Sequence, residues 1–166
     1  MKKILCVILA AACLTLTACD STDNPSSGNN TVSTESTASA ANTKKAAEKT
    51  AALLEAMEFP EMITANSDFL DVNFGINAGD LEDYSLYICP SGAMPDEFGI
   101  FTAKSSEAAA DIKAKIEARI AYQKETYTTY TPDEVYKLDG SVCEINGSTV
   151  YYAICADGAK AKEILG

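Results

Sequence analysis

The amino-acid sequence predicts an α+β domain over residues 44–166, built as a two-layer sandwich. An antiparallel sheet of about four strands, in the order strand-strand-helix-strand-strand, carries one long helix across it, and an extra N-terminal helix precedes this unit. Two observations predict the architecture. Alternating apolar runs flank a long helical pattern, and an Asn146-Gly147 turn separates the last two runs. A segment of this length can bury a core of its own.

Two helices are predicted from periodicity and stop residues. The N-terminal helix runs from Lys44 to Phe59, because Pro60 cannot continue it, and its packing residues are Ala47, Leu53, Leu54 and Met57. The long helix begins after a Ser105 cap and ends before Pro132. Its core-facing stripe consists of Ala109, Ile112, Ile116, Ile120 and Tyr127. A short closing helix is predicted over Lys160 to Leu165.

Two strands are predicted between these helices. The first runs from Asp80 to Cys89, and one of its faces carries Tyr84, Leu86 and Ile88. Prolines at positions 90 and 95 then break the pattern, and the second strand runs from Phe98 to Ala103.

The last hairpin can be predicted in register. With Asn146-Gly147 as a two-residue loop, Ile145 pairs with Ser148 and Cys143 pairs with Val150. The face assigned to the core carries Cys143, Ile145, Val150, Tyr152 and Ile154. The opposite face carries Val142, Glu144, Thr149, Tyr151, Ala153 and Cys155.

The N-terminus has the pattern of a bacterial lipoprotein signal peptide. Lys2 and Lys3 precede an apolar run that is too short to span a bilayer, and Leu16-Thr17-Ala18-Cys19 has the form of a lipobox. We therefore expect residues 1–18 to be removed and Cys19 to be lipidated. Cys13 is a rival acylation site, but it lacks a large apolar residue three places before it.

A tether is predicted between the anchor and the domain. Residues 20–43 contain eleven Ser or Thr and almost nothing apolar, so they cannot bury enough surface to offset their ordering entropy. A flexible chain of this length has an end-to-end distance of roughly 25–30 Å. Together with Cys19, this segment predicts a protein held at the extracytoplasmic face of the cell membrane by its lipid.

Charge excludes one class of partner. Between Thr50 and Ala103 there are ten acidic side chains and neither Lys nor Arg, and the whole chain has a formal net charge of −11. Such a surface repels nucleic acid and anionic lipid, which are bound through basic patches. We expect no nucleic-acid partner, and an anchor that is covalent rather than electrostatic.

An acidic stretch within this half partly matches a calcium-binding loop. Residues 71–82 place Asp71, Asn73 and Glu82 at the first, third and twelfth positions of that frame. Ile76 occupies the sixth position, where the sharp turn requires glycine. We therefore prefer a helix that ends near Phe74 with Gly75 as its C-cap, and we expect no metal site.

Cysteine and histidine usage excludes several chemistries. The chain has no histidine, so a Ser-His-Asp triad, a Cys-His nucleophile and a histidine-ligated metal are ruled out. Cys143 and Cys155 lie on different faces of the predicted hairpin, which disfavours a bridge between them. A Cys89–Cys155 bridge between neighbouring strands stays open. No catalytic residue and no cofactor is assigned.

Two polar residues lie at or near the core-facing side of the long helix. Arg119 is the only arginine in the chain, on the flank of the apolar stripe, and Gln123 lies one turn later inside it. Such residues need partners. One possibility is that they pin the helix to backbone carbonyls, or that Arg119 pairs with a carboxylate of the acidic half. The other is a polar pocket for an anionic or carbonyl-bearing ligand, formed by Arg119, Gln123 and Tyr130, with Tyr127 and Tyr136 as further lining.

These residues also carry a family resemblance. Arg119-x-x-x-Gln123, Tyr130-x-Pro132, the Cys143–Cys155 hairpin and Asp96-Glu97 before Phe98-Gly99-Ile100-Phe101 resemble an uncharacterised lipoprotein domain common in Gram-positive bacteria. The resemblance covers about residues 67–165. It implies a membrane-tethered protein with a small α+β domain of unknown function, and it implies no activity, ligand or catalytic residue.

The sequence therefore predicts a non-enzymatic, lipid-anchored module that binds a protein partner or a small ligand at the cell envelope. The alternative is a hydrolase of envelope polymers that uses two carboxylates. A deep cleft with two facing acids favours the enzyme, whereas a flat sheet face with exposed Tyr87 and Tyr151 favours the binding module.

Overall fold

The structure, a computed structural model, describes the backbone of residues 37–166 and the side chains of residues 45–166. The predicted signal peptide, Cys19 and most of the tether lie outside the described residues. The helices are α1 (Thr37–Ala56), α2 (Ser67–Phe74), α3 (Ser106–Tyr130), α4 (Val135–Asp139) and α5 (Gly158–Leu165). The strands are β1 (Ile63–Thr64), β2 (Leu81–Ile88), β3 (Glu97–Ala103), β4 (Val142–Asn146) and β5 (Thr149–Ile154).

The sheet is antiparallel, and its strand order is β1-β2-β3-β5-β4. The α+β class is confirmed, but the sheet has five strands where about four were predicted. The additional strand, β1, is two residues long and pairs Ile63 with Ile88. It was missed because two residues are too few to show a period.

The prediction of two layers is wrong, because helices cover both faces of the sheet. One face packs on α2, α3 and α4, around Phe74, Phe101 and Ile116. The other packs on α1 and α5, around Leu53 and Phe98. All seven residues of the central strand β3 are consequently buried. Tyr151 is also buried and Tyr87 is half-buried, so the flat, exposed tyrosine face considered above is absent from the described residues.

Helix α3 follows its prediction closely. The Ser105 side chain accepts a hydrogen bond from the Ala108 N–H and caps the helix, which ends at Tyr130. The predicted stripe faces the sheet: Ala109, Ile112 and Ile116 are buried, and Ile120 and Tyr127 pack against the same core.

Helix α1 differs from its prediction at both ends, because it begins at Thr37 rather than Lys44 and ends at Ala56 rather than Phe59. Three alanines at positions 38, 40 and 41 are strong helix formers, so the helix extends into the predicted tether. The residue before a proline avoids the helical conformation, which explains the earlier end ahead of Pro60. Ala46, rather than the predicted Ala47, faces the core.

The last hairpin has the predicted faces but a different register. Its loop is Gly147-Ser148, so Asn146 pairs with Thr149, Ile145 with Val150 and Cys143 with Tyr152. Gly147 has a φ of +62°, and the tight hairpin turns require a positive φ at their first loop residue. The shift from the predicted pairing is two residues, and therefore each side chain stays on its predicted face.

Helix α2 ends as the sequence predicted. Gly75 adopts a left-handed conformation with a φ of +64° and caps the helix, and the Asn77 side chain accepts a hydrogen bond from the Gly79 N–H. Asp71 thus belongs to α2, whereas Glu82 belongs to β2. The two ends of the calcium-loop frame lie in separate elements, and no calcium loop forms.

Cys89, Cys143 and Cys155 are free thiols. The alternative of a Cys89–Cys155 bridge is wrong, because β3 lies between the strands that precede these residues. Strands two positions apart are separated by nearly 10 Å, beyond the reach of a disulfide. Burial raises the pKa of the Cys143 thiol to about 12 and also raises that of Cys155, which makes both thiols poor nucleophiles.

Candidate functional site

The site is organised around a buried carboxylate at the start of β3. Glu97, with 3% of its side chain exposed, binds Arg119 of α3 in a two-pronged ion pair. Arg119 Nε donates to Oε1 (2.8 Å) and Nη2 donates to Oε2 (2.5 Å). Burial opposes the positive charge of Arg119, but the hydrogen bonds and charge of Glu97 outweigh it, so the pKa of Arg119 is raised. Of the alternatives considered for Arg119, pairing with a carboxylate of the acidic half is the one that the structure shows.

Two further side chains bind the same carboxylate. The Tyr152 hydroxyl on β5 donates to Glu97 Oε1 (2.9 Å), and Gln123 Nε2 approaches Oε2 (3.4 Å). Burial, followed by the charge of Glu97, raises the pKa of Tyr152 well above its usual value. Tyr152 is therefore a permanent donor at neutral pH. The network links β3, β5 and α3, and Gln123 Oε1 is buried in it without a partner among the described residues.

Aromatic rings of α2 support the guanidinium. The Arg119 Cζ atom lies 4.6 Å from the ring centre of Phe74 and 5.3 Å from that of Phe69. Arg119 Nη1 also donates to Asn73 Oδ1 at 3.5 Å. One hydrogen on each terminal nitrogen remains without a partner among the described residues. The side chain is 11% exposed and lines a cavity.

A second buried ion pair lies beside the first. Lys137 of α4 donates to Asp96 Oδ2 (2.8 Å) and also contacts Glu134 Oε2 (2.7 Å). Burial opposes the charge of Lys137, but its hydrogen bonds to Asp96 and Glu134 outweigh that effect and raise its pKa. Asp96, the last residue of the β2–β3 connection, thus holds α4, and Glu97, the first residue of β3, holds α3.

Glu97, Arg119 and Gln123 line a cleft of about 230 Å³ between α2, α3 and the β2–β3 connection, which we call the Arg119 cleft. Its polar lining consists of Asn73, Cys89, Ser91, Asp96, Glu97, Arg119, Gln123 and Tyr127, and its remaining lining of Phe69, Ile88, Pro90, Gly92, Met94 and Pro95. The rim residue Met94 is 39% exposed. The cleft therefore combines a hydrogen-bonding floor with apolar walls.

The structure brings together part of the predicted pocket. Arg119, Gln123 and the further candidate Tyr127 line the cleft, whereas Tyr130 and Tyr136 lie outside it and are 79% and 54% exposed. Tyr130 is the last residue of α3 and lies nearly two turns beyond Gln123, beyond the reach of the cleft. Glu97, the central group, was not among the predicted pocket residues. The sequence feature that could have pointed to Glu97 as a site residue is its position just before an apolar strand.

The ionisable groups of the cleft are largely engaged with one another. Its two carboxylates, Asp96 and Glu97, are each engaged by a cation, and the chain has no histidine to act as a base. Cys89 also lines the cleft, and the chain has no imidazole that could activate a thiol. Among residues 45–166, no group of three or more cysteine or acidic side chains is placed to hold a metal ion.

Fold and cleft together define a small three-layer α+β domain with a polar, charge-paired cleft at one end of its sheet. Residues 55–155 match the family model of a domain of unknown function, DUF4358. The match spans more than half of the chain, and the protein belongs to this family. No curated protein and no solved structure matches it. Of the helices in the described part, none combines the length and hydropathy needed to cross a bilayer.

Proposed function

We propose that this protein is a lipid-anchored, extracytoplasmic binding module of Gram-positive type, with no enzymatic activity of its own. The anchor rests on the Leu16-Thr17-Ala18-Cys19 lipobox and the short apolar run before it. Stable membrane attachment requires more than one acyl chain, which a diacylglycerol on the Cys19 sulfur supplies. The polar segment after Cys19 holds the domain at a distance from the membrane surface. The domain can then meet its partner or ligand outside the lipid headgroups.

The Arg119 cleft is the proposed binding site, and one observation supports it most. Arg119 retains unpaired N–H groups at the cleft although its charge is balanced by Glu97. Such a floor donates hydrogen bonds without attracting anions strongly. Together with the Met94 and Phe69 walls, it suits a small uncharged polar molecule or a neutral segment of a protein partner. The anionic ligand considered from the sequence fits less well.

The hydrolase alternative receives no support from the cleft. A glycosidase needs one carboxyl group kept protonated as an acid and another free as a base or nucleophile. Asp96 is bound by Lys137 and Glu97 by Arg119, so both carboxyl groups are already engaged in ion pairs. A hydrolase would need its two carboxylates elsewhere on the molecule.

Metabolic labelling tests the anchor. In bacteria given a labelled fatty acid, the wild-type chain should incorporate the label, and Cys19→Ala should lose both the label and membrane attachment. Cys13→Ala is the matched control and should keep both. Label retained in Cys19→Ala but lost in Cys13→Ala would move the anchor to the other cysteine, and an unlabelled wild type would refute anchoring altogether.

Site-specific photo-crosslinking in intact cells tests the cleft. A photoreactive phenylalanine analogue at Met94, on the rim, should capture the ligand or partner, whereas the same analogue at Val72, which is 82% exposed and outside the cleft, should not. Adding Gln123→Leu should abolish the Met94 product. Equal products at both positions, or a Met94 product unaffected by Gln123→Leu, would contradict binding in the cleft.

A further inference from the structure

The two edges of the sheet differ in length and in charge. The β1 edge is only two residues long and belongs to the acidic half, in which residues 50–103 carry ten acids and no base. The β4 edge is five residues long and contains no proline or lysine, two residues that commonly protect exposed edges. Residues 104–166 hold eight basic and ten acidic side chains, so charge there is nearly balanced. An edge of this kind is competent to pair with another strand.

The register of the hairpin shows which backbone groups are free on β4. Asn146 and Thr149 flank a two-residue loop, so they form a hydrogen-bonded pair, and pairs then alternate along the ladder. Glu144 and Val142 therefore bond to β5. The N–H and C=O groups of Cys143 and Ile145 point away from β5, towards the open edge.

A groove accompanies this edge. A cavity of about 360 Å³ is lined by Glu117 and Ile120 of α3, by residues 141–144 and by Lys162 of α5. On the α3 side, Cys143 is half-buried beside it and Ile145 is 38% exposed. On the α5 side, Lys162 and Glu144 form an ion pair of 2.6 Å. The two sides of the groove thus differ, one being apolar and the other charged.

We propose that β4 pairs with β4 of a second copy of this chain, antiparallel and about a two-fold axis through Glu144, to give a continuous ten-stranded sheet. In this register Cys143 stands opposite Ile145 of the second copy, and both expose their N–H and C=O groups at the shared edge. Ile145 of each copy then covers the apolar side of the groove of the other, beside Ile120.

Charge and helix spacing are compatible with this pairing. The two Glu144 side chains face each other, and the Lys162 bound to each of them reduces the repulsion between the two carboxylates. Helix α3 packs over β3, β5 and β4, which centres it near β5. The two copies of α3 are then about 14 Å apart, three strand spacings, and this exceeds the roughly 8–10 Å of packed helices. The α3 helices of the two copies therefore do not clash.

Engineered disulfides test the register. In a full chain carrying Cys89→Ser and Cys143→Ser, Glu144→Cys should form a disulfide-linked dimer under mild oxidation. Residues facing each other on the axis are a non-hydrogen-bonded pair with Cα atoms about 4.5 Å apart, within disulfide range. Thr64→Cys, at the exposed β1 edge, is the matched control and should stay monomeric. Equal crosslinking of the two variants, or none, would overturn the proposal.

Sedimentation of the purified full chain gives a test without a new cysteine. The wild type and Ile63→Lys should dimerise alike, whereas Ile145→Lys should weaken the dimer by about tenfold or more in Kd, because it places a charge on the apolar side of the groove. Both isoleucines are exposed on edge strands, so folding should be equally little affected. A monomeric wild type, or a Glu144→Cys chain that crosslinks to a different protein, would assign the edge to another occupant and refute self-pairing.

Discussion

The two faces of the sheet are held to their helices by different interactions. On the α3 face, a buried ion pair between Glu97 and Arg119 lies among aromatic rings and receives the Tyr152 hydroxyl. On the α1 face, contacts are mainly apolar, with Leu53 and Phe98 fully buried. Apolar packing stabilises by area and tolerates small shifts of a helix. A two-pronged ion pair fixes one geometry, and here it fixes the position of α3 along the wall of the Arg119 cleft.

The largest effect is expected from Glu97→Ala. It leaves Arg119 buried without its partner and should lower the free energy of unfolding by about 3–5 kcal/mol, measured by urea denaturation. The double variant Glu97→Leu with Arg119→Met should recover most of this loss, because it removes both charges and retains volume. If the single variant cost less than the double one, the ion pair would not be what holds α3 in place.

Leu53→Ala should have the next largest effect, on the opposite face. Leu53 is fully buried, and its truncation should cost about 3 kcal/mol through lost apolar burial and a residual cavity. The same urea experiment measures it, with the exposed Ala52→Gly on the same helix as control at about 1 kcal/mol. In contrast to Glu97→Ala, this loss should leave crosslinking at the Arg119 cleft unchanged under conditions where the protein is folded.

Tyr152→Phe should have a smaller effect on the α3 face. It removes the hydroxyl that donates to Glu97 and should cost about 1.5–2 kcal/mol, the usual worth of a hydrogen bond to a charged group. Thr50→Val is the counterpart on the α1 face, since the buried Thr50 hydroxyl bonds to Ser85 (2.7 Å), and it should cost about 1 kcal/mol. Equal losses for the two variants would argue against a special role for the charged network.

The smallest effect is expected from Asp83→Asn, and it should be stabilising. Asp83 lies on β2 with Oδ2 unpartnered among the described residues, and burial raises its pKa above the ordinary 3.8. A raised carboxyl pKa means that the folded state binds the proton more tightly, so ionisation at neutral pH weakens the fold. The variant should be more stable at pH 7 by at most about 1 kcal/mol. Thermal unfolding should show the gap closing as the pH falls to the range where Asp83 protonates. A gap that is constant with pH would exclude this cause.

Local patterns in the sequence predicted much of the fold. The serine cap, the end of the helix before Pro132 and the apolar stripe on α3 depend on neighbouring residues, and all three are confirmed. The faces of the last hairpin are also right although its register is not. A two-residue shift in pairing leaves every side chain on its predicted face of the sheet. The error lay only in taking Asn146 rather than Gly147 as the first residue of the loop.

The site depended on contacts between distant residues and was predicted only in part. The flank position of Arg119 indicated that it needs a partner, and the acidic half supplied ten carboxylates. Which of them binds is decided by where α3 crosses β3, a tertiary relation that no local pattern contains. The second helical layer was missed for the same reason, since α1 and α5 are far apart in the chain and meet only over the sheet.

The pairing of β3 with β5 determines when the domain can be completed. These strands are neighbours in the sheet but are separated in the chain by the whole of α3, α4 and β4. During synthesis, which starts at the N-terminus, β3 is made before β5. The edge of β3 that pairs with β5, including the apolar run Phe98 to Phe101, therefore stays exposed until β5 has been made. Closing so long a connection is entropically costly and slows folding. The unfinished chain should consequently be the form most prone to aggregation and most dependent on chaperones.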